Sequence, residues 1–349
     1  MTAEKRIVQI LVLLIVGVMT VYTLLLRSAM YNEDGFVRTD NAALRIVGED
    51  AAGDYALFRL LESAPEKAYD FKAQTAYVHE KTQAAGQFAA FASPVKAFVA
   101  VPFLPLPYTG YFDTVFFWGF FLFGVALYAL FPLRVAVPLL AAFPAAFVNF
   151  AFGGFGLYAA ACAVLSLTLS DEYPKRAGFF GGLLAAEPLM FALVLFAFAV
   201  EKRKKAFAAL RTTPCRFVSL AGALLCNGAG AFAVWTFQVL TAVWVVLTGW
   251  RLFFKSPLAP LAVKNAFLCA AGVLLNPVAT AGDGALLSAA VAFLLFDSER
   301  RGYLKADLPL FVLAFGAIFF DGMLAAAVGM SAQTAVAVLL PLACGRRAY

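Results

Sequence analysis

The sequence predicts an all-α polytopic membrane protein, and three observations lead to this fold class. Hydrophobic residues make up 63% of the 349 residues and charged residues only 14%, whereas soluble domains carry roughly 25% charged residues. Apolar runs recur along the chain, and a helix of about 20 apolar residues crosses a hydrocarbon core of roughly 30 Å. The basic residues are gathered in short clusters between these runs.

About twelve of these runs are candidate transmembrane helices, with a range of ten to thirteen because some are short or interrupted. The run at 7–26 is longer than a signal-peptide core and lacks a small-residue cleavage site, so we expect a retained first helix. Prolines in the run at 94–106 would bend it or make it re-entrant. The whole chain, 1–349, is then one integral membrane domain. The other runs are 114–131, 135–150, 157–169, 178–200, 217–232, 235–250, 261–275, 281–296, 308–328 and 332–342.

Charge sets the predicted orientation. With the N-terminus in the cytoplasm and 94–106 counted as the second helix, four basic clusters follow even-numbered helices and lie inside, as the positive-inside rule requires. The segment 27–92, acidic overall, becomes the first extracytoplasmic loop and carries amphipathic helices. The segment D-E-Y-P-K-R at 171–176 is predicted outside, where its acids offset its bases. The four clusters are 202–205, 251–255, 300–305 and 346–347.

Composition also excludes several functions. The net charge of +6 comes from the topological clusters, so it does not indicate nucleic-acid binding. A single histidine excludes a multi-histidine metal site, so no residue is assigned as a metal ligand, and the sequence leaves a need for metal open. The cysteines lack metal or disulfide spacing and are predicted to be buried thiols. They are Cys162, Cys215, Cys226, Cys269 and Cys344.

The first loop is the only long polar segment, and Asp54 is its leading candidate for chemistry. It begins the stretch D-Y-A-L-F-R-L-L, in which Tyr55, Phe58 and two leucines give one apolar face. Asp54 is either the N-cap of this helix, where a carboxylate suits the helix dipole, or a general base that takes a proton from an alcohol above the membrane. The spacing leaves both interpretations open.

Two further acids are candidates for substrate binding. Asp283, in N-P-V-A-T-A-G-D-G, stands at the predicted outer start of a helix and shares that side with Asp54, as a helix cap or a ligand. Glu187, in A-A-E-P, is expected about 15 Å down its helix, where an ionisable side chain is a functional candidate by default. Asp321 and Lys264 are weaker candidates of the same kind.

Three cationic residues at the predicted outer face are candidates for binding a lipid phosphate. They are Lys96, Lys175 and Arg176, and snorkelling to lipid headgroups is their alternative role. His79 is expected to be a solvated loop residue.

Several blocks together resemble glycosyltransferase family 87 of the GT-C superfamily, whose members use polyprenyl-phosphate sugars. Their order and spacing, rather than any single block, carry the resemblance. The blocks are G-D-Y-A-L-F-R-L through A-Y-D-F (53–71), P-F-L-P-L-P-Y (102–108), G-G-F-G-L (153–157), A-G-F-F-G-G-L-L-A-A-E-P with the basic loop after it (177–205), and N-P-V-A-T-A-G-D-G-A-L-L (276–287).

The resemblance implies an inverting transfer of a sugar, a mannose-like hexose or a pentose, to a glycan or lipid acceptor. Asp54 would be the general base, Tyr69, Asp70, Asp283 and Glu187 would bind substrate, and no cofactor besides the lipid-linked donor is implied. The expected partners are polyprenyl-phosphate sugar, a glycan or glycolipid acceptor and membrane lipids, without nucleic acid. The expected location is a bacterial inner membrane, with the active site extracytoplasmic.

The chain departs from the family pattern at four positions, so altered specificity or an inactive member is also consistent with the sequence. Gly154 stands where the family has glutamine, Glu187 where it has lysine, and Ala92 and Ser93 where it has tyrosine and proline. A transporter or flippase is the main alternative and predicts charged groups near the midplane and internal symmetry. A second alternative, an acyltransferase, would need a catalytic histidine, and His79 is the one histidine in the sequence. A third alternative is a non-catalytic partner in an envelope assembly.

Overall fold

A computed structural model describes residues 49–82, 90, 94–143, 146, 149, 153–201, 205, 232–276, 284–315 and 332–348. All regular structure in these ranges is helical, as the sequence predicts. The candidate residues Asp283 and Asp321, and Ala92 and Ser93, lie outside the described residues.

Twelve α-helices are described in chain order. They are α1 (Glu49–Ser63), α2 (Phe71–Thr82), α3 (Pro94–Ala100), α4 (Tyr108–Leu130), α5 (Leu133–Ala142), α6 (Gly156–Leu169), α7 (Pro174–Leu183), α8 (Pro188–Val200), α9 (Phe232–Trp250), α10 (Leu261–Leu274), α11 (Gly284–Arg301) and α12 (Ala332–Arg347). Short 3-10 helices cover Pro65–Lys67, Val101–Phe103, Leu184–Ala186 and Lys305–Asp307, and a π-helical turn covers Arg251–Lys255.

The long helix α4 defines two ends of the bundle. At its start, the Tyr111 ring lies 5.1 Å from the ring of Tyr55, next to Asp54 in α1. Just past its end, the Phe131 ring lies 5.9 Å from Phe296, near the end of α11. We call these the Asp54 end and the Arg347 end, after the buried charged residues found at each.

The run at 94–106 does not cross between these ends. Lys96 at its start contacts Asp54, and the carbonyl of Leu106 accepts a hydrogen bond from the neighbouring Tyr55. Prolines shape the segment, because α3 begins at Pro94 and the 3-10 helix that follows it contains Pro102. Counting 94–106 as a crossing helix was therefore wrong, and the re-entrant alternative agrees with both of its ends lying at the Asp54 end.

The run at 178–200 was predicted as one helix, but the structure divides it. Residues 178–183 are the last part of α7, and residues 188–200 form α8. Helix α6 leaves the Asp54 end, where Phe155 packs on Phe58, and α7 returns beside it with Ser166 bonded to the Ala177 carbonyl. The 3-10 helix Leu184–Ala186 then packs on α3, back at the Asp54 end. Proline at 188 imposes the turn, since the residue before a proline is disfavoured in the helical conformation.

Helix α8 runs back toward the Arg347 end, and α10, α11 and α12 complete that end. Glu201, directly after α8, pairs with Lys264 at the start of α10. A side chain added at Gly272, late in α10, would meet Met190 and Leu286, so the starts of α8 and α11 lie together at the opposite end. The ends of α11 and α12 meet through Arg301 and the carbonyl of Arg347.

The packing divides into two hydrophobic clusters. The larger one joins α4 to α8, α10, α11 and α12 and is rich in alanine and leucine. The smaller one surrounds α1 with aromatic side chains and contains Tyr55, Phe58, Tyr111 and Phe155. Within the described residues, one segment, Gly110–Leu130, is long and apolar enough to cross a membrane, and three shorter apolar helices are Gly156–Leu169, Leu189–Val200 and Leu261–Leu274.

Candidate functional site

Asp54 lies in the interior of α1, five residues after its first residue, and only 3% of it is exposed. Alanine and leucine favour the helix here, and Ala51, Tyr55 and Phe58 bury the same side of it. The N-cap interpretation is therefore wrong. A carboxylate inside a helix and away from water is costly to keep charged, so it needs a partner.

Lys96 provides that partner. Its ammonium Nζ lies 2.9 Å from Asp54 Oδ2 and 5.6 Å from the centre of the Phe155 ring. The two groups form a buried ion pair. Burial raises the pKa of the Asp54 carboxyl above its ordinary value, and the Lys96 charge partly opposes this rise.

Tyrosines surround the pair, and sequence reasoning missed their part in the site. The Tyr55 hydroxyl donates to the Leu106 carbonyl and accepts from the Arg59 guanidinium. The hydroxyl of Tyr111, a residue that is 1% exposed, interacts electrostatically with Asp54 and has no hydrogen-bond partner among the described residues. The Tyr158 hydroxyl is likewise buried without one in this part of the chain. The signal was a tyrosine pair, Tyr108 and Tyr111, at helical spacing after Pro107.

The segment G-G-F-G reaches the site because glycine allows close approach. Gly153 has φ +77°, and a Cβ there would lie 2.4 Å from the Ala51 Cβ and 2.8 Å from the Phe112 ring. This fit places Phe155 beside both Phe58 and the Lys96 ammonium. The small residues therefore serve close packing, and Gly154, with φ +87°, lies within the same turn.

Glu187 lies at the Asp54 end, a position that the sequence did not predict. It occupies the turn between the 3-10 helix Leu184–Ala186 and α8, with φ −116° and ψ 88°, and it is half-buried. The expected position about 15 Å down a continuous helix was wrong, because Pro188 splits that helix. The preceding 3-10 helix packs on α3, which carries Lys96.

Lys175 and Arg176 do not belong to this site. Both are at the start of α7, at the Arg347 end, and both are exposed. The 14 residues of α6 separate that end from Phe155, a distance of about 21 Å at 1.5 Å per residue. Their predicted position on the side of Asp54 was wrong, and the Arg176 guanidinium instead stacks 5.1 Å from the Tyr173 ring.

Tyr69 and Asp70 are exposed, and Asp70 has a structural task. Its Oδ1 accepts the backbone N–H of Lys72 at 3.0 Å, an arrangement that caps α2. His79 is exposed as expected but lies on α2 rather than in a loop. The buried Gln74, which sequence reasoning passed over, joins α2 to the backbone of Ala68 and Ala90.

Lys264 has a partner at the other end of the bundle. It donates to Glu201 at 2.7 Å and to the Pro257 carbonyl at 3.0 Å. Cys162, Cys269 and Cys344 are buried thiols, as predicted, whereas Cys215 and Cys226 lie outside the described residues. In the part of the chain that the structure describes, no three acidic, histidine or cysteine residues are grouped as metal ligands.

Comparison with protein-family models, with curated proteins and with solved structures gives no match. The resemblance to family 87 therefore stays a prediction that rests on the motifs. The functional argument rests on Asp54, Lys96 and the tyrosine hydroxyls that have no hydrogen-bond partner in the part of the chain that the structure describes.

Proposed function

We propose that the protein is a membrane glycosyltransferase that moves a sugar from a polyprenyl-phosphate donor to a glycan or lipid acceptor, with inversion. The observation that carries this proposal is the buried Asp54–Lys96 pair, which places a base and a cation side by side. It lies at the end of the bundle opposite the basic clusters of α11 and α12. Under the positive-inside rule the Asp54 end then faces away from the cytoplasm.

In this mechanism Asp54 acts on the acceptor and Lys96 on the donor. The Asp54 carboxylate takes the proton of the acceptor hydroxyl while that oxygen attacks the anomeric carbon from the face opposite the phosphate. The bond between the anomeric carbon and the phosphate oxygen breaks, and polyprenyl phosphate leaves with the electron pair. The Lys96 ammonium offsets the charge that remains on the phosphate. Glu187, in the turn beside α3, and Tyr69 are further candidates for contacts with the sugar.

Membrane embedding, with a GT-C-like bundle of about twelve spans in a bacterial inner membrane, belongs to the same proposal. It is supported by the large apolar side chains that the bundle exposes, such as Phe117, Phe121 and Tyr128 on α4, since soluble monomers rarely expose wide apolar patches. Arg134, at the Arg347 end after α4, adds a basic residue to the side predicted as cytoplasmic.

The transporter alternative loses its main support. It relied on Glu187 near the middle of a helix, and Glu187 instead occupies a turn at one end of the bundle. Transporters bind substrate near the midplane at the interface of repeats, and the charged pairs of the described residues lie toward the two ends.

Transfer from short-chain prenyl-phosphate sugars tests the proposal. Purified protein is assayed with a panel of hexose and pentose donors and of glycan and glycolipid acceptors. We expect Asp54→Asn to lower kcat/KM at least about 100-fold, because a positioned base contributes roughly 10²- to 10⁴-fold. Glu66→Gln, which changes an exposed acid at the same end, is the control and should keep transfer within about threefold. Unchanged transfer in Asp54→Asn would remove Asp54 from the mechanism.

Labelling in intact cells tests the orientation. In a chain without other cysteines, Glu66→Cys places an exposed thiol at the Asp54 end and Arg300→Cys places one at the Arg347 end. We expect a membrane-impermeant thiol reagent to label the first variant and to label the second only after lysis. The reverse pattern would put the Asp54 end in the cytoplasm and would contradict a reaction on an extracytoplasmic lipid-linked sugar.

A further inference from the structure

The Asp54 carboxylate is occupied in this structure by its own lysine. A general base must come within about 2.6–3.2 Å of the proton that it abstracts, and at Oδ2 that position is held by the Lys96 ammonium at 2.9 Å. The two groups are buried together, with 16% of the Lys96 side chain and 4% of the Asp54 side chain exposed. In this structure Asp54 Oδ2 and the Lys96 ammonium therefore occupy each other.

We propose that Lys96 is a lock on Asp54 that a phosphate group opens: the anion draws the ammonium away, and the carboxylate then accepts the acceptor hydroxyl. This inference rests on the proposed function, because it takes the donor to be a prenyl phosphate. It adds an order to the reaction, since the base becomes available only after the phosphate has bound.

Lys96 is the member of the pair that can move. Its charge lies at the end of a flexible four-carbon stem, on a helix of only seven residues. Asp54 has a short side chain and is held in the middle of α1 between buried neighbours. When the ammonium leaves Oδ2, the attraction between the two charges is lost, and a new anion must replace it.

A phosphate can open this lock where an uncharged ligand cannot. Pulling the ammonium from a buried carboxylate leaves a charge without its partner, which is costly. A phosphate repays that cost, because it offers the ammonium charge-assisted hydrogen bonds in exchange. An alcohol or an uncharged sugar offers only neutral acceptors and leaves the pair closed.

Tyr111 provides a replacement donor for the carboxylate. Its hydroxyl is buried, lacks a hydrogen-bond partner among the described residues and interacts electrostatically with Asp54. A buried hydroxyl without a partner is unusual and calls for an explanation. A donor that serves Asp54 once Lys96 has left gives that explanation, and it lowers the cost of separating the pair.

Ligand binding to the purified full-length protein in nanodiscs tests the lock. The probes are farnesyl phosphate, farnesol and inorganic phosphate, measured by titration calorimetry. Asp54→Asn keeps the shape of the side chain but releases Lys96 from its counter-charge. We expect it to bind farnesyl phosphate about 5- to 100-fold more tightly than the wild type, the range of ordinary coupling between two sites. Asp54→Ser carries the same expectation, so the test survives if one variant does not fold.

Two further variants complete the design. Lys96→Met should bind farnesyl phosphate no better than farnesol, because its cation is gone. Glu201→Gln is the matched control, since it releases Lys264 from a similar pair at the Arg347 end, and it should leave the Kd of farnesyl phosphate within about twofold of the wild type.

The outcomes separate the lock from the function. Equal or weaker binding in both Asp54 variants would overturn the lock, while a Lys96-dependent preference for farnesyl phosphate would leave the proposed donor standing. No preference for farnesyl phosphate over farnesol in any of the proteins would overturn both. If inorganic phosphate binds as tightly as farnesyl phosphate, and more tightly still in Asp54→Asn, the lock is supported and a free phosphate, not a prenyl donor, is its ligand.

Discussion

Buried charges are found at both ends of the helix bundle, but they are arranged in different ways. At the Arg347 end, Asp297 and Asp307 both bind the guanidinium of Arg347, with Arg301 adding two bonds to Asp297 and Arg346 one to Asp307. At the Asp54 end, one carboxylate meets one ammonium. The Tyr111 hydroxyl, which interacts with Asp54 and Tyr158, and the buried Tyr158 hydroxyl have no hydrogen-bond partner among the described residues.

The difference teaches that burial of charge does not by itself mark a functional site. The arginine forks at the Arg347 end satisfy both carboxylates and tie α11 and α12 to the 3-10 helix Lys305–Asp307; within the described network only Arg347 Nη2 is left over. Such a network holds elements together. The Asp54 end differs, because several of its buried polar atoms have no hydrogen-bond partner among the described residues. Such atoms favour the binding of a ligand that can supply the missing bonds.

Arg347→Met is the change with the largest expected effect on stability. It leaves two buried carboxylates short of their shared cation, and removing one partner of a buried ion pair costs about 3–5 kcal/mol. We expect the free energy of unfolding in detergent to fall by about this amount, while the Kd for farnesyl phosphate stays within about twofold of the wild type because the sites are distant.

Arg346→Met is the matched control for that change. Its side chain is 43% exposed and makes one contact to Asp307, so we expect a loss below about 1 kcal/mol. Equal losses in the two variants would contradict a buried network centred on Arg347, and a weakened ligand affinity in Arg347→Met would contradict the division of roles between the two ends.

Gly153→Ala should have a somewhat smaller effect, located at the Asp54 end. The added methyl group collides with Ala51 of α1 in addition to straining the backbone at φ +77°, so we expect a loss of about 2–4 kcal/mol from overpacking and left-handed strain together. Gly302→Ala has φ +95° with nothing within 4 Å of its Cβ and should lose only about 1–2 kcal/mol from the backbone alone.

The free energy of unfolding and the transfer activity are measured for both glycine variants. Transfer should fall in Gly153→Ala even at temperatures at which the variant remains folded, because α1 carries Asp54. A Gly153→Ala protein as stable as Gly302→Ala would show that α1 does not rest against this glycine.

The pH dependence of transfer should show the smallest of these effects. Burial raises the pKa of Asp54, and the reaction needs the ionised carboxylate, so kcat/KM should rise with pH through a pKa above the ordinary aspartate value. Lys96→Met removes the charge that opposes this rise, and its acid limb should lie at higher pH than that of the wild type. Arg59→Met, which changes a cation that bonds Tyr55 and Glu62, should leave the limb in place; an unshifted limb in Lys96→Met would mean that Lys96 does not influence the base.

Hydropathy predicted the helical structure, and the basic clusters at 300–305 and 346–347 do meet in the structure, but neither hydropathy nor charge predicted the path of the chain. Two errors in the count of crossing helices compensated for each other. The run 94–106 was counted as a crossing although it returns to the end where it starts, and 178–200 was counted as one helix although Pro188 separates α7 from α8 within it. Glu201 lies at the Arg347 end beside Lys264, whereas Lys175 and Arg176 lie away from the Asp54 end, opposite to their predicted side. Apolar composition reports that a segment is buried or embedded, and it does not report the direction in which the segment runs.

The candidate site was predictable in part. Asp54 and Lys96 were chosen from a polar loop and from charge at one side, and the structure brings them into contact. Tyr111 and Gln74 were not chosen, because a tyrosine at the start of an apolar helix and an amide in a polar segment look ordinary until their surroundings are known. Asp70 was chosen for its motif, and only the geometry shows that its carboxylate caps α2.

The lengths of the helices that join the two ends have a consequence for the proposed membrane embedding. Helices α6 and α10 contain 14 residues each and are about 21 Å long, against a hydrocarbon thickness of roughly 30 Å. Both helices are buried for most of their length, so neighbouring helices cover them and their shortness would not be felt by lipid. Helix α4 instead has 23 residues, is about 34 Å long and exposes Phe117, Phe121 and Tyr128, so under the proposed embedding its outer face would set the thickness of the lipid layer around the protein.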